Sequence, residues 1–159
     1  MTKAAQQWIK QLALEPHPEG GYYKRIYASD INTSNNQLVR PICTSIHYLL
    51  EAGDFSAWHR IKSDEQWFFH AGTALMIYEI NSTGKLIEHR LSANHALSIV
   101  IPAHSWFCAM TENTKEAYSL VSCVVSPGFV FEEFELAKAE SLSQQFPEHR
   151  ALVERFCRQ

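Results

Sequence analysis

His59 and Glu65 raise the question of chemistry in this chain. They flank the polar run "KSD" in "GDFSAWHRIKSDEQWFFHAG", residues 53–72. An imidazole with a pKa near about 6.5 works as a general base at neutral pH when a carboxylate fixes its tautomer. The same two groups can also contribute to holding a divalent cation. A third use is structural, because a buried His and Glu satisfy each other where either alone would be costly. A second polar segment, "HPEGG" (17–21), offers His17 and Glu19 beside glycines that let backbone approach closely. That segment also reads simply as a helix stop and turn.

These groups need a frame. Residues 3–14 carry Ala4, Ala5, Trp8, Ile9 and Leu12 at helical spacing, which predicts a short amphipathic helix. From Tyr22 to Ser126 the period changes. Short runs such as "YYKRIYA", "CTSIHYLL", "FSAWHRI", "EQWFFH", "LMIYEI", "LIEHRL", "LSIVIP", "WFCAM" and "YSLVSCVV" alternate with breaks that include "SDINTSNNQ" and "TENTKE". About nine strands without intervening helices predict an antiparallel sandwich or barrel. Alternation along 57–61 puts Ala57, His59 and Ile61 on one face, and a hairpin through "KSD" would aim His59 and Glu65 into the barrel together. Helices are expected over about 131–145 and 147–158, the second opening on Pro147. "ALMIYEI" and "YSLVSCVV" are apolar on both faces, so each needs a second cover, from the helices or from a second subunit, and a homodimer is the favoured expectation.

With 159 residues the chain can bury roughly 70% of its extended surface without disulfides. The net charge of −3, with no Lys/Arg run, argues against a nucleic-acid footprint. The opening "MTKAAQQWIKQLALEP" lacks a long apolar core, which predicts neither a leader nor a membrane span. Cys43, Cys108, Cys123 and Cys157 form no C-x-x-C pair, and a cytoplasmic location is expected.

The stretch from Gly53 resembles the first signature of the cupin superfamily: Gly53, His59, Glu65 and Gly72 fit, while Ile61 stands where a second His is usual. "IPAHSWFCAM" resembles the second signature weakly, with Pro102 in place, His104 at a Gly position and Phe107 where a His is usual. "HPEGGYY" and "SPGFVFEEFELA" are similar to an uncharacterised bacterial and fungal branch of cupins marked by an N-terminal HPEGG motif. The resemblance implies an all-β fold, a double-stranded β-helix or jelly-roll barrel over about 20–128, in one domain spanning 1–159.

What the resemblance implies for the site is divided. Metal-binding cupins use three imidazoles and a carboxylate, and only His59 and Glu65 of those four remain, with His104 a weak replacement. The leading expectation is therefore no metal or other cofactor and a small-molecule ligand, carbohydrate- or nucleotide-related. By analogy with metal-free cupins that isomerise or epimerise keto-sugars, His59 is the expected base, Glu65 its orienter and Tyr23 the expected acid, with Tyr22 and Tyr48 as alternatives. His17, Glu19, Gly20, Lys24, Trp67 and Trp106 are the expected substrate-binding residues. A metal-dependent dioxygenase or isomerase and a non-catalytic binder are the alternatives.

Overall fold

The computed structural model describes residues 2–35, 38–112 and 117–158. The breaks expected at 29–37 and 111–116 fall partly on 36–37 and 113–116, outside the described residues. Helix α1 (Lys3–Leu12) starts where the Thr2 hydroxyl accepts from the Ala5 amide at 2.9 Å. It stops at Ala13, which takes a left-handed conformation with φ 51°. Among the described residues thirteen strands follow: β1 (Glu15–Pro16), β2 (Tyr22–Ala28), β3 (Asn32–Asn35), β4 (Leu38–Pro41), β5 (Thr44–Glu51), β6 (Phe55–Arg60), β7 (Asp64–Gly72), β8 (Leu75–Ile80), β9 (Leu86–Leu91), β10 (Ser98–Ile101), β11 (Trp106–Thr111), β12 (Tyr118–Ser126) and β13 (Glu135–Leu136). Two short helices, α2 (Ala139–Gln145) and α3 (Arg150–Arg155), close the chain.

All strand pairs named here are antiparallel. A six-stranded sheet runs β1-β2-β5-β12-β7-β10, and a five-stranded sheet runs β13-β6-β11-β8-β9. β3 and β4 form a separate ribbon. The two large sheets make the antiparallel barrel that the strand pattern predicts, with the jelly-roll form that the resemblance implies. Between them lie Tyr48, Leu50, Trp67, Leu75, Ile77 and Phe107, all fully or nearly fully buried. A second cluster, built on Trp58, Trp106, Cys108, Val153 and Phe156, packs α2 and α3 onto the outer face of the five-stranded sheet. A third packs α1 through Ala5 against Leu49 of β5 and Leu120 of β12.

The doubly apolar strands are explained by these clusters. Tyr78 of β8 stacks on Phe156, with ring centroids 6.0 Å apart, and Leu120 of β12 lies under α1. The chain's own helices provide that second cover, so the pattern is accounted for without a partner subunit. Among the described residues no helix is long and apolar enough to cross a membrane.

Two expectations are corrected. The predicted helix over 131–145 is helical only from Ala139: Phe131–Glu133 is a 3-10 turn, and Glu135 and Leu136 pair with Arg60 and His59 at the edge of β6. The free edge of β6 offers that backbone its hydrogen bonds, and Phe129, Phe131 and Phe134 pack on one another rather than on a helix face. The final helix is likewise shorter than 147–158, with Pro147–His149 forming a 3-10 turn before α3.

Candidate active site inside the barrel

β6 and β7 are not a hairpin. They belong to opposite sheets, and the chain crosses from one to the other between Arg60 and Asp64. His59 therefore lies between Phe107 of β11 and Leu136 of β13, while Glu65 lies between Ile101 of β10 and Val125 of β12. Both still line one cavity of about 460 Å³. Crossing between sheets places the two groups on facing walls rather than side by side.

A register shift between β6 and β11 also alters the simple alternation. It brings Ser56 to the inner side along with His59, where its hydroxyl donates to Glu19 Oε1 at 3.0 Å. The same irregularity lets His59 Nδ1 reach back to the Ala57 carbonyl at 2.7 Å. A carbonyl only accepts, so Nδ1 carries the proton and Nε2 keeps a lone pair.

The HPEGG segment enters the cavity from the turn before β2. Gly20 (φ 117°) and Gly21 (φ 72°) take left-handed backbone, and a Cβ on Gly20 would overlap the Phe55 carbonyl and the Arg158 guanidinium. The loop is tied down on several sides. The Tyr48 hydroxyl donates to the Gly20 carbonyl at 2.7 Å, and Asp54 Oδ2 accepts from the Gly21 amide at 2.8 Å. Arg158 Nε donates to the Glu19 carbonyl at 2.9 Å. Glu19 is thereby held 6% exposed, with Oε2 lying 3.3 Å from His59 Nδ1. Because that N–H bonds Ala57, Oε2 has no hydrogen-bond partner among the described residues. The contact orients His59 without forming an ion pair.

Burial governs the protonation of all these groups. It lowers His59 from 6.5 to about 4, with the Ala57 carbonyl opposing, so the ring is neutral at neutral pH. Burial, reinforced by the nearby Glu19 carboxyl, raises Glu65 to about 8, so it is mainly a protonated acid there. Burial also raises Glu19, against the effects of His17, Ser56 and Arg158. It lowers His17, with Glu19 opposing. Cys123, beside Glu65, is raised well above the usual thiol value by burial and stays a thiol. The cavity thus holds a neutral imidazole and a protonated carboxyl on opposite walls.

Of the residues expected from sequence, His59, Glu65, Tyr23, His17 and Glu19 all line this cavity. The expected orienter changes: Glu19 and the Ala57 carbonyl contact His59 Nδ1, not Glu65. Gly20 lies under the turn and shapes it without lining the cavity. Lys24 points to the other face of β2 and meets Glu15 at 3.6 Å, since neighbouring strand residues face opposite ways. Trp67 is core between the sheets, and Trp106 packs on the helix side beneath Arg60, 4.5 Å from its ring centre. His104 is exposed in the loop before β11. Sequence reasoning missed Ser56, Cys123 and the anchoring by Asp54 and Arg158. Cys123 was readable, because Val121 and Val125 on the same strand face mark it as inward. Ser56 was not, because a bulge leaves no residue-type signal.

The comparisons agree with this architecture. The family described as "Cupin superfamily (DUF985)" matches residues 6–137, and the chain belongs to it. A hypothetical protein from Leishmania major is 30% identical over 98% of this chain and 99% of its own, with TM-score 0.90. A protein from Shewanella oneidensis is 37% identical, covers 99% of both chains and has TM-score 0.88. A cupin 2 domain-containing protein from Halorhodospira halophila shares the fold at 13% identity and TM-score 0.60, over 91% of this chain and 88% of its own. No curated protein matches the sequence.

The metal that many cupins hold does not fit the donors here. Phe107 fills one of the four usual ligand positions, its ring centre 4.1 Å from that of His59, and Ile61 fills another. His104, the expected replacement, is outside the cavity. Among the described residues no three His, Cys, Asp or Glu side chains are grouped to bind an ion.

Proposed function

We propose that this chain is a small-molecule-binding cupin that moves a proton on a carbonyl substrate without a metal, an isomerase or epimerase acting on a carbohydrate, free or nucleotide-linked. The observation that carries the reading is the pairing of His59 Nε2, a free base, with the Glu65 carboxyl, a proton donor, across one cavity. The cavity volume of about 460 Å³ falls within the ~300–1,000 Å³ typical of small-ligand sites. Arg25, exposed where it lines the cavity, supports a phosphate at the mouth. The HPEGG segment supplies two ionisable groups to the cavity, which supports treating it as the mark of a distinct cupin branch.

In this reading His59 takes the proton from the carbon beside the carbonyl, and the C–H electron pair forms the C=C bond of an enediol. The carbonyl π pair moves to oxygen, which Glu65 protonates. Glu65 recovers a proton from the neighbouring hydroxyl, and His59 returns its own to the adjacent carbon. Every proton and electron pair is accounted for, and no oxidant enters.

The test is incubation of the full chain with free and nucleotide-linked keto-sugars in deuterated water, following loss of the α-proton by NMR. Exchange that disappears in His59→Ala supports the reading. Binding by calorimetry without exchange for any of them replaces it with that of a non-catalytic binder.

A further inference from the structure

His17 and His59 face the same cavity, and the backbone fixes them in opposite tautomers. The Glu19 amide donates to His17 Nδ1 at 3.2 Å. A nitrogen that accepts from an N–H carries no proton of its own, so the neutral His17 ring must be protonated on Nε2. The nearby Glu19 Oε1, 3.6 Å from the same Nδ1, is therefore not an ion-pair partner in the resting state. His59 is the mirror case, with Nδ1 donating to Ala57 and Nε2 left as an acceptor. Neither Nε2 has a hydrogen-bond partner among the described residues, and both rings line the cavity.

We propose that His17 is a second catalytic residue, an N–H donor to the substrate's carbonyl oxygen, and that the cavity therefore recognises α-hydroxy carbonyl compounds through their enediolate-like form. This rests on the acid–base reading above and adds the group that stabilises the developing oxyanion. A neutral imidazole is suited to that role, since it polarises a carbonyl without giving up its proton as long as its environment keeps it uncharged. Three features hold His17 for it. The Tyr23 ring meets it edge-on with centroids 4.5 Å apart, Tyr48 lies behind at 5.9 Å, and the Gly20 and Gly21 turn fixes the backbone. Burial keeps the ring neutral. His59 takes the carbon-bound proton, and His17 offers a hydrogen bond to the oxygen that gains the electron pair. His17 ends each cycle with the proton it began with.

The same geometry gives both polar residues of HPEGG a role. Glu19 donates to His17 through its backbone and contacts His59 through its side chain, so one residue sets the tautomer of one ring and orients the other. A substitution of its side chain alone leaves the His17 tautomer in place.

Two measurements on the full chain test this. In nitrogen-15 NMR of the histidine-labelled protein at neutral pH, His17 is expected as the Nε2–H tautomer and His59 as Nδ1–H. His17 found as Nδ1–H overturns the inference and leaves the base reading standing, whereas His59 found as Nε2–H overturns that reading itself. In calorimetry with glycolohydroxamate, a planar mimic of an enediolate, the unaltered chain is expected to bind. His17→Ala should weaken binding on the order of 10–100-fold, the loss of one hydrogen bond to a charged group. His17→Gln, which can again present an N–H, should recover part of it. Equal binding by His17→Ala, or no binding by the unaltered chain, overturns the proposal.

Discussion

Two buried glutamates meet histidines inside this barrel, and they are finished differently. Glu79 of β8, 2% exposed, accepts from the Ser105 hydroxyl at 2.8 Å on Oε1 and lies 2.8 Å from His89 Nε2 on Oε2. Both oxygens are satisfied, and the group lies outside the cavity. Glu19, 6% exposed, has Ser56 on one oxygen and nothing on the other, beside a histidine whose proton is committed elsewhere. A complete network fixes a structure; an incomplete one facing a cavity leaves hydrogen-bonding capacity for a ligand. The same residue types thus complete a network at one place and, in the proposed reading, serve chemistry at the other.

The largest expected contrast is kinetic. His59→Ala should lower α-proton exchange on the order of 10²–10⁴-fold, the usual worth of a general base, while His89→Ala leaves it unchanged; equal losses in NMR exchange rates would erase the distinction. Next, Glu79→Ala should cost about 2–3 kcal/mol in urea unfolding because it strands the Ser105 and His89 groups, with exchange preserved.

The pH dependence of stability separates the sites further. The folded chain keeps the Glu65 proton up to about 8, whereas the unfolded chain releases it near 4.5, so stability falls as pH rises between those values. His59 acts oppositely, since between about 4 and 6.5 only the unfolded chain holds that proton and stability rises with pH. The slopes offset where they overlap, and above 6.5 His59 no longer opposes Glu65. Glu65→Gln should therefore abolish a decline of about 2 kcal/mol between pH 6 and 8, measured by urea titration at both values. A decline that persists in the variant would show that another group causes it.

Smallest are the changes around Glu19. Arg158→Ala, which removes a partly exposed clamp on the HPEGG loop, should cost about 1 kcal/mol or less. Glu19→Gln should leave unfolding within about 1 kcal/mol of the parent, since its Oε2 forms no hydrogen bond to lose.

Much of the barrel was legible. All nine apolar runs are strands, β2 and β5 to β12, because alternating burial writes itself into residue type. The short β3–β4 ribbon was not, because β3 is built from Asn, Thr and Ser in a stretch that reads as a break. β13 was hidden within a segment rich in helix formers, where the open edge of β6 outweighs propensity. At the site, His59, Glu65, His17 and Glu19 were named from type and spacing, and Tyr23 through the resemblance to metal-free cupins. Trp67 and Trp106 were misplaced because an aromatic reads the same whether it faces core or ligand.

The sequence by itself determined which groups could titrate, the alternation that builds two sheets, and the glycine turn ahead of β2, since each depends on local covalent chemistry. Only the tertiary structure decided that β6 and β7 lie in opposite sheets, that Glu19 rather than Glu65 contacts His59 Nδ1, and which imidazole nitrogen carries each proton. Those depend on backbone carbonyls and amides brought from distant strands, and on the burial that shifts a proton's affinity; neither has a signature in the identity of any single residue.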